Sequence, residues 1–107
     1  MSHAAIDDVT GAVDIQPRSV VSKVIHRDEE VDVTVFGFDV GEGLTEHTAS
    51  RTAIVQVVSG RLRLTVDGEE LDASAGFWLR MSAGAPHALE AAEPTIMLLT
   101  MLRPASV

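Results

Sequence analysis

The chain has 107 residues, 46% of them apolar and 22% charged, with a formal net charge of -8 at pH 7. That is room for one domain with one core, too apolar for a disordered chain, and the negative surface argues against nucleic-acid binding. No cysteine is present, which removes disulfides, thiolate metal sites and cysteine nucleophiles together.

The first ten residues, Met1 to Thr10, have neither the basic start nor the apolar run of a signal peptide. They read as an arm, and residues 1–18 as an N-terminal arm or first-strand region ahead of a domain over residues 19–107. His3 falls in that arm. Val20 to Ile25 is short and rich in Val and Ile, as a strand is. His26 opens a charged turn, His26-Arg27-Asp28-Glu29-Glu30, and both His3 and His26 read as plain surface residues. From Val31 to Val40, Val31, Val33 and Val35 alternate with Asp32, Thr34 and Phe36, which predicts a strand with two different faces.

Ala53 to Val58 is β-branched and ends at Ser59-Gly60. Arg61 to Val66 alternates cleanly, with Leu62, Leu64 and Val66 on one face and Arg61, Arg63 and Thr65 on the other. Asp67-Gly68 follows at once, the dipeptide of a type I′ hairpin turn, with Leu71 to Ala73 as the return strand. Phe77 to Met81 is the next strand, and its neighbours Phe77 and Trp78 must face opposite ways. Ser59 and Ser82 read as turn residues. Thr95 to Leu102 is apolar on both faces, which fits a strand buried on both sides or a contact between protomers. It is far too short to span a bilayer as a helix. No sustained 3.6-residue period appears anywhere, so little helix is expected. A soluble, cytoplasmic, all-β sandwich or barrel with no membrane partner is the expectation.

Two glycine-histidine segments narrow this further. Gly41, His47 and Gly60 stand at three marks of the first motif of the cupin barrel, whose second histidine and glutamate positions hold Ala49 and Ala53. Gly76, Gly84 and His87 match the second motif, where Ser82 and Ala91 replace its proline and asparagine. Between Gly60 and Gly76 lie 15 residues, as in small microbial cupins. The chain therefore resembles a small cupin of the type-2 conserved-barrel kind, with a degenerate set of metal ligands, over roughly its last two thirds. The segments Thr45 to Ala49 and Pro86 to Ala91 resemble those of compact bacterial cupins. The resemblance implies a jelly-roll-like antiparallel barrel of two sheets, with a pocket between them, and a homodimer.

In metal-binding cupins, two histidines and a glutamate of the first motif join a histidine of the second. Here only His47 and His87 remain as candidate metal ligands, and the one negative charge of that set is gone. Two neutral imidazoles bind Zn, Fe, Mn, Ni or Cu weakly unless Glu42, Glu46 or Glu90 turns inward to help. Ala49 and Ala53 make the predicted pocket larger and more apolar, with Val55 and Val57 continuing the aliphatic wall. His47 and His87 then serve as its polar anchors, able to hydrogen-bond a ligand or move a proton. The sugar-nucleotide epimerase arrangement within this superfamily needs a tyrosine acid, and the chain has no tyrosine. Arg51 and Arg80 read as solvated surface arginines, with contact to an acidic ligand as the alternative. Two functions fit: a small-molecule-binding barrel without a tight metal, and a metal-dependent oxygenase or isomerase using His47, His87 and a third ligand.

Overall fold

The structure, a computed structural model, describes residues 2–104. Nine strands follow a single short 3-10 turn at Val9–Ala12: β1 Val20–Arg27, β2 Val31–Phe38, β3 Gly43–His47, β4 Ala53–Ser59, β5 Arg61–Val66, β6 Glu69–Ser74, β7 Trp78–Met81, β8 His87–Ala91 and β9 Thr95–Leu102. They form two antiparallel sheets, one of five strands in the order β1-β2-β9-β4-β7 and one of four in the order β3-β8-β5-β6. This is the all-β, two-sheet barrel that the motifs imply.

The alternations sort into faces. From the four-stranded sheet, Leu62 and Leu64 of β5 face inward beside Ala73, Leu89 and Ala91. From the five-stranded sheet, Phe38, Val55, Val57 and Met97 meet them. Phe38, Leu62, Leu64 and Met97 are the largest fully buried apolar side chains, each contributing about 1.5–3 kcal/mol relative to exposure. In β2 the inward row is Asp32, Thr34, Phe36 and Phe38, with Phe36 and Phe38 stacked at 5.7 Å. The valines face out. Val35 is nevertheless fully buried, because the N-terminal segment lies over this side: a Cβ on Gly37 would meet Val13, Ile15 and Val21.

Asp67 and Gly68 both have positive φ, 51° and 80°, so the two-residue turn between β5 and β6 is the predicted primed hairpin. Gly60 has φ 88° and packs so tightly against the carbonyl of Pro94 and the hydroxyl of Thr95 that any Cβ would collide. Thr95 is itself fully buried; its hydroxyl accepts from the Arg61 amide at 2.9 Å and lies 2.8 Å from the Glu93 carbonyl. β1 runs on through His26 and Arg27, with a bulge at Ile25, so the charged turn is shorter than its sequence suggests. Phe77 belongs to the turn before β7 and packs on the core, while Trp78 points out and is 56% exposed.

Candidate functional site

His47 ends β3 and His87 begins β8, and they are opposite one another across that strand pair. How both come to face inward is a matter of parity. Leu44 pairs with Leu89 and His47 with His87, so two residues of β3 span the same distance as Ala88 alone. Leu44 and His47 are an odd number apart and would point to opposite faces of a regular strand. The extra residue, a β-bulge, turns the histidine back to the side of Leu44. His87 needs no such device, being two residues from Leu89.

The two rings meet edge to face, with centroids 4.2 Å apart and planes at 61°. His87 is 8% exposed, whereas His47 is at the solvent-facing rim. Each Nδ1 lies close to the backbone carbonyl two residues before it: His47 to Thr45 at 2.9 Å, His87 to Ala85 at 2.8 Å. A carbonyl only accepts, so Nδ1 carries the hydrogen in both rings. In the neutral imidazoles both Nε2 atoms are therefore acceptors, available to a ligand donor.

The loops around the pair are tied together. The amide of Gly84, between β7 and β8, donates to the carbonyl of Ala49, between β3 and β4, at 2.8 Å. Ala49 is half-buried in that loop. Ala53, at the start of β4, is 2% exposed and belongs to the core, with Met81 opposite it on one side and Met101 on the other. The end of the barrel that carries the two histidines on one sheet thus carries two methionines and an alanine on the other.

The donor set decides what this end can hold. Among the described residues no group of three or more His, Cys, Asp or Glu side chains is arranged to bind an ion. Glu46 and Glu90 are exposed, and neither they nor Glu42 completes a set with the histidines. Two neutral nitrogens with no carboxylate do not fit a tight divalent site.

Arg51 is the residue that its sequence context misplaces. Instead of standing in solvent, it reaches Asp32 with Nη2 at 2.8 Å and lies 3.9 Å from the sulfur of Met101. Arg103 donates to the other Asp32 oxygen at 2.8 Å, and Arg27 adds a third contact at 3.3 Å. The Asp32 side chain is 11% exposed, and the Arg51 guanidinium, then Arg103, holds its carboxyl below the usual carboxylate range against the opposing effect of burial. Only the inward register of Asp32 signals this in the sequence, and a lone Asp in a valine row is a weak sign.

The cupin domain's family model matches residues 34–102. Among solved structures, a conserved protein of unknown function from Streptococcus pyogenes is 32% identical with a TM-score of 0.86, over 99% of this chain and 93% of that one. A cupin 2 conserved barrel domain protein from Leptotrichia buccalis is 30% identical with a TM-score of 0.83, over 89% of this chain and 46% of that one, so this chain spans about half of its length. A cupin superfamily protein from Desulfitobacterium hafniense, 20% identical with a TM-score of 0.84 over 90% of this chain and 88% of that one, is alike in fold. No curated protein matches the chain. The matched span begins inside β2 and closes with the last residue of β9, taking in both histidines and the loops that carry them; the chain belongs to the cupin family.

Proposed function

We propose that the protein is a small-molecule-binding cupin whose ligand is anchored by His47 and His87, without a tightly held metal of its own. The observation that carries the reading is the Nδ1–carbonyl contact of both rings, which leaves an Nε2 acceptor on each of two rings whose centroids are 4.2 Å apart. Ala49 and Ala53 stand where the usual ligand set has its polar donors and charge, and Met81 and Met101 flank Ala53, with Arg51 3.9 Å from the sulfur of Met101. Such an end suits a compact, largely apolar molecule carrying one or two hydrogen-bond donors. Metal content by mass spectrometry on untagged protein, followed by a small-molecule screen, tests it. Metal-free protein, with a hit whose affinity falls in His47→Ala and His87→Ala, is the expected result. Near-stoichiometric metal that disappears in both variants would instead favour a metal-dependent cupin and call for a search for the third ligand.

We also infer a homodimer through the outer face of the five-stranded sheet. The N-terminal segment covers the β1–β2 half of that face, and Ile54, Ile96, Leu98 and Trp78 lie on the remaining β9-β4-β7 half. A second copy of the same patch is the complementary apolar surface that a two-fold contact supplies.

A further inference from the structure

The chain has eight lysines and arginines, and four of them, Arg27, Arg51, Arg80 and Arg103, lie toward one end of the five-stranded sheet. Among the described residues, Asp32 is the one carboxylate that pairs with them. The neighbouring turn carries Asp28, Glu29 and Glu30, with Asp28 bound to His26 at 2.6 Å and to the amides of Glu30 and Val31.

Holding Asp32 does not account for the whole cluster. Arg80 contacts Ser82 at 3.4 Å and makes no bond to Asp32. Among the described residues, Arg51 Nη1 is the one buried side-chain nitrogen or oxygen without a hydrogen-bond partner, an expensive state for a charged donor. Beside these groups is a cleft of about 300 Å³ walled by Arg51, Arg80 and Arg103 with Ser50 and Thr52, and by the apolar Ala83, Leu102 and Pro104. Three arginines and two hydroxyl residues in the lining of one cleft are suited to an oxyanion, which accepts from several donors at once.

We propose that this cleft binds the carboxylate or phosphate group of a small anionic molecule, with Arg80 and Arg103 as direct partners and Arg51, anchored on Asp32, behind them. The site is separate from the histidine pair and does not depend on the function proposed for it. The test is calorimetric titration of the whole protein with inorganic phosphate and with malonate, at constant ionic strength. Saturable binding of at least one is expected, weakened about tenfold by Arg80→Gln, the equivalent of one charged hydrogen bond, and unchanged in His87→Ala. Binding of phosphate alone would assign a phosphorylated ligand, and binding of malonate alone a carboxylate. No saturable binding of either, or the same affinity in Arg80→Gln and Arg103→Gln as in the parent, would overturn the proposal. Because Arg80 makes no bond to Asp32, its substitution leaves the structural ion cluster in place.

Discussion

His47 and His87 face each other at 4.2 Å across a strand pair whose register slips by one residue between Leu44 and His47. The slip is what makes the pair: a regular β3 would aim His47 away from His87. Deleting one residue at Thr45 or Glu46 should therefore straighten β3 and keep the rings together, with Leu44 and His47 two apart on one face, whereas deleting both should turn His47 away from His87. A response retained in the single deletion and lost in the double one, each with a folded far-UV spectrum, is the expected outcome; the same response in both would refute the role of the bulge.

Restoring the missing carboxylate is a second test. Ala53 is 2% exposed, so Ala53→Glu buries a charge with no partner and should lower stability by about 3 kcal/mol in the absence of metal. Combined with Ala49→His, it rebuilds the four-ligand set that the family resemblance implies. Zinc or manganese should then raise the melting temperature of the double variant and leave the parent almost unchanged. Equal stabilisation of both by the ion would show that the parent already holds it tightly.

The hairpin turn gives a third prediction. Gly68 has φ 80°, a conformation that a β-branched residue resists. Gly68→Val should cost about 1 kcal/mol or more, a fall of about 4 °C or more in melting temperature. Gly68→Asn, which tolerates the left-handed region better, should cost less. An unchanged melting temperature for the valine variant would contradict the strain argument.

Acid should destabilise the fold, with the sign set by lowered carboxyl groups. The hydrogen bond from His26, then the amides of Glu30 and Val31, lowers Asp28 from 3.8 to about 2, and Arg51 and Arg61 lower Asp32 and Asp72. A carboxylate more acidic in the folded state contributes stability above its unfolded value and loses it as pH falls through the folded one. For Asp28 the loss runs from about 3.8 down to about 2. Thermal melts should show little change from neutral pH down to about 5 and a steep fall below 4. At neutral pH, Asp32→Ala should lower the melting temperature more than Asp72→Ala, because the exposed Arg61–Asp72 pair is screened by solvent and Asp32 orders three arginines. The opposite ranking would remove Asp32 from its structural role.

The proposed dimer is checked by light scattering. The parent should have twice the chain mass at micromolar concentration, and Leu98→Arg, on the outer face opposite Gln56, should be a folded monomer. A monomeric parent would defeat it.

What the sequence makes legible follows the strength of its periodic signals. Arg61 to Val66 alternates without exception and becomes β5 residue for residue, and the both-faced apolarity of Thr95 to Leu102 marks β9, which is central in its sheet. β3 and β8 escape that reading. Gly43 to His47 has one aliphatic residue and a bulge, so period two is broken. His87 to Ala91 is built largely from Ala, Leu and Glu, which favour helix, and only the pairing with β5 makes it a strand. The alternation in β2 separates two faces but does not say which is interior; the valine row turns out to lie under the N-terminal segment. For the histidines, the cupin spacing is what brings them together on paper. Arg51 is out of reach of such reasoning, since its partner Asp32 is 19 residues away in another sheet strand.

The placement of β9 bears on how the barrel is built in time. β1 and β2 form one hairpin, β4 and β7 another pair, and the two are joined only by β9, which is bonded to β2 on one side and β4 on the other. Without Thr95 to Leu102 the larger sheet would be two halves with open edges, so it cannot be completed until that segment has been synthesised. The final strand then has to enter a slot rather than add to a rim. Closing it fixes pairings between distant parts of the chain, which makes folding slow and places the decisive step after translation of the strand.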